Sequence, residues 1–262
     1  MISKNQIKFI KSLELKKNRK REGLFVAEGP KVVGDLLRAG FLPHSIYSTV
    51  ELPKILQSGI DVKNILQATQ PITEEELHKI SFLQHPQQVL AVFHIPGENA
   101  PSESTSTTQK SSFSDHLSLA LDGVQDPGNV GTIIRIADWF GIETIYCSMD
   151  TADVYSPKVV QATMGSLAHV QIIYCNLVEL LSKADCPVYG TLLDGEDIYI
   201  QELTKNGIIV MGNEGNGISE AVRPLVTHRL LIPNFHKNAE TAESLNVAIA
   251  TAITCSEFKR RF

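Results

Sequence analysis

No apolar run in this 262-residue chain approaches the roughly 20 residues that a membrane-spanning helix needs, so no membrane partner is expected. The opening stretch, MISKNQIKFIKSLELKKNRKREG, has no hydrophobic segment of the kind a secretory leader carries, and a cytoplasmic address is expected. Cysteine is scarce and scattered. Cys147, Cys175, Cys186 and Cys255 show neither CxxC nor zinc-finger spacing, which fits buried thiols in a reducing compartment. His94, His169 and His236 lie too far apart to read as a ligand set, so no metal is expected. Ser166 and Ser219 lack a nucleophile-elbow context. No Gly-rich loop is followed by Lys-Ser or Lys-Thr, and no GxGxxG follows the first strand of either half. Those absences argue against a P-loop enzyme and a dinucleotide-dependent dehydrogenase.

What is present is unevenly placed. The net charge is −5, yet eight basic residues crowd the first twenty-one positions, with Glu14 the single acid among them. Such a cluster on an acidic protein reads as a phosphate-binding patch, and Lys16, Lys17, Arg19, Lys20 and Arg21 are its densest part. The alternative is a solvated terminus. Residues 97–116, GENAPSESTSTTQKSSFSDH, are too polar to offset the entropy of ordering and read as a flexible linker.

On either side of that linker, strand and helix signals alternate, which predicts α/β layers. In residues 1–96, strands are expected at 24–27, 45–48 and 89–93. Helices are expected before the first strand, after Gly29-Pro30, and after the capping signal of Thr73. In residues 117–262, six short β-branched runs at 117–121, 144–147, 170–173, 188–192, 208–211 and 229–232 predict a mostly parallel sheet. Helices are expected at 129–140, 158–167, 177–183 and 244–258, the last opening near Ser244 as its N-cap.

The polar residues with the densest signal fall where strands end and helices begin. DPGNVG at 126–131 opens a helix with Asn129 in its first turn and Arg135 six residues on. GNEGNG at 212–217 ends a strand with three glycines, where backbone can approach a ligand closely, and Glu214 inside it would repel a phosphate. Ser244 and Asn246 stand at the start of the last helix, where free backbone N–H groups gather. The pairs Asp122 with Asp126, and Asp194 with Glu196, lie in turn-prone loops where acids are common.

In these three stretches, LDGVQDPGNVGTIIRIADWFG at 121–141, IVMGNEGNGIS at 209–219 and LIPNFHKNAETAESLNVAIA at 231–250, the chain resembles the SpoU/TrmH family of RNA ribose methyltransferases. The resemblance covers 117–262, and LKKNRKREGLFVAEGPKVV with FLQHPQQVLAVF is similar to the family's substrate-binding domain. It implies a trefoil-knotted α/β methyltransferase domain at 117–262, after a small ribosomal-protein-like α/β domain at 1–96. It also implies S-adenosylmethionine as cofactor and a homodimer formed through the C-terminal domain. Matched by motif, Asn129, Arg135, Glu214, Ser244 and Asn246 would be the catalytic set. Leu192, Gly212, Ile232, Leu245 and Asn246 would hold the cofactor. The loop between Pro233 and Ser244 is longer than the family's usual one.

The activity so implied is methyl transfer to a ribose 2′-hydroxyl of structured RNA, with ribosomal RNA favoured by the N-terminal domain type and transfer RNA left open. Arg135 either takes the hydroxyl proton or orients the ribose phosphate, and a guanidinium suits the second role better. The rival from another class is a non-catalytic RNA-binding or assembly factor on the same scaffold. The intact set of Asn129, Arg135, Glu214 and Asn246 argues against it.

Overall fold

The computed structural model describes residues 1–51, 62–97, 116–236 and 243–262. Most of the linker expected at 97–116 lies outside them. The chain divides into two compact units. One takes Met1–Thr107 together with Asp153–Ala168, and the other takes Thr108–Ala152 with His169–Phe262.

The first unit is built on a four-stranded sheet. Its strands are β1 (Leu24–Glu28), β2 (Pro43–Ser48), β3 (Thr69–Pro71) and β4 (Val89–His94), in the spatial order β1-β4-β2-β3. β4 runs antiparallel to both neighbours, and β2 and β3 are parallel. Its sequence-leading helices are α1 (Lys4–Ser12), α2 (Lys16–Glu22), α3 (Pro30–Arg38), α4 (Val62–Gln67) and α5 (Glu74–Ile80). Reciprocal capping boxes start two of them, Ser3 with Gln6 on α1 and Thr73 with Glu76 on α5. Successive strand residues face opposite ways, so Leu24 and Val26 meet Ile10, Leu13 and Ile80 on one face of the sheet. Phe25 faces the other way and stacks on Phe93 with ring centroids 5.7 Å apart.

The second unit holds β5 (Leu117–Asp122), β6 (Thr144–Cys147), β7 (Gln171–Tyr174), β8 (Val188–Asp197), β9 (Gly207–Gly212) and β10 (His228–Leu231). Their order is β10-β8-β9-β5-β6-β7, and every pairing is parallel. β5 and β9 are buried along their whole length, as central strands covered on both faces must be, and this is why they read as unbroken apolar runs. Helices α6 (Pro127–Trp139) and α9 (Val247–Lys259) pack against each other, and α8 (Leu177–Ser182) leads into β8. The chain builds β5, β6 and β7 outward in one direction. It then crosses back to lay β8, β9 and β10 on the other side, so the reversal falls between β5 and β9. In open parallel sheets that reversal leaves a crevice at the carboxyl ends of the strands.

Four expectations need correction. Residues 153–168 fall within the sequence range read as the C-terminal domain but belong to the first unit. There α7 (Pro157–Ala162) lies against β1, and Tyr155 meets Phe25 at 4.9 Å between ring centroids. The helix expected at 158–167 stops early, because Met164 and Gly165 turn to positive φ. The last helix begins at Val247, not at Ser244. Asn246 is its N-cap, accepting hydrogen bonds from the backbone of Ala248 and Ile249 at 3.0 and 3.3 Å. The fourth is Arg19. It is 3% exposed and pairs with Asp153 at 2.5 Å, while it donates to the carbonyls of Leu13 and Glu14. A guanidinium so enclosed is a structural cation and not a phosphate ligand. Lys16, Lys17, Lys20 and Arg21 are exposed.

Candidate active site at the strand ends

β8, β9 and β10 converge on one cavity of about 540 Å³. Each strand reaches it differently. β9 ends in a tight turn in which Asn213 and Gly217 exchange backbone hydrogen bonds at 2.9 Å. The turn closes so tightly that a Cβ at Gly212 would overlap the carbonyl carbon of Gly217. Asn213 fixes the turn from inside. Its Oδ1 accepts from the backbone of Gly215 and Asn216, and its Nδ2 donates to the carbonyl of Gly123 at 2.7 Å. Sequence reasoning missed this role. The available signal was an asparagine at the start of a glycine-rich turn, a frequent side-chain mimic of a turn.

Opposite that turn stands the amino end of α6. Asp126 caps it by accepting from the backbone of Asn129 at 2.8 Å. Glu214 reaches across from the β9 turn and accepts from the backbone N–H of Gln125 and Asp126, both at 3.2 Å, and from Asn129 Nδ2 at 2.9 Å. A carboxylate belongs at such a place, because unpaired N–H groups and the positive end of the helix dipole gather there. Burial pushes the Glu214 carboxyl up. The donors around it, Asn129 Nδ2 and the backbone among them, outweigh that and hold it below the usual carboxylate range. The other end of the Asn129 amide accepts from Asn246 Nδ2 at 2.9 Å. Three side chains from three separate stretches therefore form one chain, Glu214–Asn129–Asn246.

The remaining expected residues are distributed around this chain. Leu192, Gly212, Ile232, Ser244 and Leu245 line the cavity, as does Glu214; Asn129 bonds to Glu214 from behind, and Asn246 stands between the lining residues Leu245 and Val247. Arg135 is not brought to the cavity. Six residues at 100° each turn it about 120° away from Asn129 around the helix and carry it roughly 9 Å along the axis. It is exposed, and its guanidinium makes no hydrogen bond or ion pair to another described residue. The acids read as turn formers have structural partners: Asp122 accepts from the backbone of Ser219 at 2.7 Å, and Asp126 is the cap. Asp194, read from the sequence only as a loop acid, and Arg223, which the sequence did not mark out, both line the cavity. Among the described residues no three His, Cys, Asp or Glu side chains are grouped to hold a metal, and no helix is long and apolar enough to cross a membrane.

The family model for the SpoU rRNA Methylase family matches residues 116–256, and that for the MRM3-like substrate binding domain matches residues 4–91. The chain is 32% identical to the 23S rRNA (guanosine(2553)-2'-O)-methyltransferase RlmP of Bacillus subtilis, over 96% of this chain and 95% of that protein. A TrmH-family structure from Porphyromonas gingivalis has a TM-score of 0.83 and 42% identity, with all of both chains covered. An rRNA methyltransferase from Sinorhizobium meliloti with AdoMet bound has a TM-score of 0.82 and 28% identity, covering 100% of this chain and 97% of that one.

Proposed function

The chain belongs to the SpoU rRNA Methylase family and is an RNA ribose 2′-O-methyltransferase using S-adenosylmethionine, and from that premise we propose that it methylates ribosomal RNA in the bacterial cytoplasm, at the Glu214–Asn129–Asn246 chain. Glu214 lines a ligand-sized cavity and is coupled to Asn129 and, through it, to Asn246; that coupling carries the reading. Its RNA-facing half rests on the match of residues 4–91 to a substrate-binding domain and on the exposed Lys16, Lys17, Lys20 and Arg21.

The cavity's donor set fits the cofactor. Asp194, Glu214 and Glu243 give it an acidic wall, suited to a ligand with two cationic groups. Leu192, Gly212, Ile232 and Leu245 present backbone and apolar surface to the nucleoside. When bound, S-adenosylmethionine supplies an electrophilic methyl on its sulfonium.

The protein's own task is alignment, because an oriented pair of reactants removes much of the barrier. Glu214 is saturated by three donors and acts by fixing Asn129. Asn129, held at both ends of its amide, and Ser244 would set the ribose hydroxyl against the methyl. Arg135 stands on another face of α6 from Asn129, so its exposed guanidinium would hold an RNA phosphate outside the cavity, and the hydroxyl proton leaves to solvent at the open side.

A second copy of the chain completes the picture. Trp139 on α6 is 85% exposed, and Ile249 on α9 and the cavity-lining Leu245 are half exposed. An apolar face on two packed helices is the surface through which the homodimer would form.

The test uses ribosomal RNA from cells lacking the protein. Purified protein with methyl-labelled S-adenosylmethionine should introduce one ribose methyl, mapped by its resistance to alkaline cleavage. Arg135→Ala should bind cofactor normally yet transfer orders of magnitude more slowly, and Arg135→Lys should recover little. Absence of any new 2′-O-methyl on either ribosomal RNA, with transfer RNA labelled instead, would overturn the ribosomal assignment. Absence on all RNA would favour the non-catalytic scaffold.

A further inference from the structure

We infer that Arg223 binds the carboxylate at the amino-acid end of S-adenosylmethionine, with Asp194 and Arg229 positioning it; this rests on the cofactor reading above.

The local backbone is built to bring these groups to the cavity. The pairing of β8 with β10 jumps from Gly190↔Arg229 directly to Glu196↔Leu230. The residues between, 191–195, leave the ladder, and that excursion places Thr191, Leu192 and Asp194 in the cavity wall. Gly195 returns the strand to the ladder at a point with no room for a side chain, since a Cβ there would lie 2.5 Å from the carbonyl carbon of Leu230. Arg223 comes from the short 3-10 turn Arg223–Leu225 after the β9 loop. Its Nη2 donates to Asp194 Oδ2 at 2.5 Å, and Arg229 Nη1 reaches the same oxygen at 3.2 Å.

Charge matching decides which part of the cofactor meets this group. The cofactor has one anion, its carboxylate, and two cations, its sulfonium and its ammonium. The cavity wall has three carboxylates and a single cation among its described residues, Arg223. Glu214 is occupied by its own donors. The triad of Arg223, Asp194 and Arg229 has a net charge of about +1 and is, among the described residues, the side-chain group at the site with a positive sum, which favours an anion. Arg223 and Asp194 are 39% and 50% exposed, so their pairing is weak and readily shared with a ligand. A guanidinium has five N–H donors in a planar fork, which suits a carboxylate held by two parallel bonds.

The experiment is titration calorimetry of the full chain with three ligands: S-adenosylmethionine, its decarboxylated form, and 5′-methylthioadenosine, which lacks the amino-acid end altogether. Arg223→Gln should weaken S-adenosylmethionine by about ten- to a hundredfold, the range for hydrogen bonds to charged groups. Its affinity for the other two ligands should equal wild type, which also shows that the variant is folded. Arg223→Lys should recover part of the loss. Wild-type affinity of Arg223→Gln for S-adenosylmethionine would overturn the assignment. Equal losses with all three ligands would overturn it too, moving Arg223 to the nucleoside end. If the wild-type protein bound none of the three, the cofactor reading itself would fall.

Discussion

Asn246 Nδ2 donates to Asn129 Oδ1 across 2.9 Å, joining residues 117 positions apart in the chain. The same Asn246 caps α9 through its Oδ1, and the same Asn129 donates to Glu214 through its Nδ2. Each amide is thus fixed in one orientation, because turning either over would set oxygen against oxygen.

Asn129→Asp is therefore expected to be worse than Asn129→Ala. The aspartate would present a carboxylate to Glu214, while alanine only removes a donor. Cofactor-dependent methyl transfer should fall by about a hundredfold or more for either, as when one preorganised polar group is lost from an active site. Single-turnover methylation of the native RNA measures it, with equal rates for the two variants counting against the coupling.

The Glu214 carboxyl gives a pH signature. Its folded pKa lies below the unfolded value, so its contribution to stability is complete above the unfolded carboxyl pKa of about 4.3 and is lost as pH falls through the lower folded value. Asn129→Ala removes one donor and raises that folded value. The acid side of the stability profile should shift to higher pH in the variant, as read from thermal midpoints across the acid range. Glu214→Gln should abolish the shift.

Arg19 and its neighbours should separate cleanly. Removing one partner of a buried ion pair costs about 3–5 kcal/mol, so Arg19→Ala should lower the thermal midpoint strongly. Replacing Lys16, Lys17, Lys20 and Arg21 by alanine should leave that midpoint close to wild type. The same replacement should flatten the salt dependence of RNA binding by about 0.7 log units per lost phosphate contact on single strands. Filter binding at several salt concentrations, beside a melting curve, tests both halves.

Gly212→Ala should abolish cofactor binding without adding a polar group. The added methyl overlaps the backbone of Gly217, so the β9 turn must open and its wall of the cavity must move. Calorimetry on a variant whose circular dichroism matches wild type is the measurement, with retained affinity as the contrary result.

The strands of the second unit were legible because the central ones, β5 and β9, are buried on both faces and leave unbroken apolar runs. Asn129, Glu214 and Asn246 were legible as polar residues at helix starts and glycine turns. Their mutual contacts were not, since they join positions 85 and 117 apart. Ser244 and Asn246 are both good capping residues, and only the fold shows which one turns inward. Arg19 looks like every other cation in its run. Its burial depends on Asp153, 134 positions away. The excursion at 191–195 was hidden for a similar reason, because a strand that leaves its ladder keeps the composition of a strand.

The assignment of Asp153–Ala168 to the first unit has a consequence for cutting the molecule. Cleavage anywhere between Gly97 and His116 would not yield two independent proteins. The shorter fragment would keep Arg19 and Phe25, while Asp153 and Tyr155, their partners, would travel on the longer one. The two fragments should migrate together on a sizing column and part only in denaturant, and the shorter one made alone should behave as an incomplete protein with a buried cation laid bare.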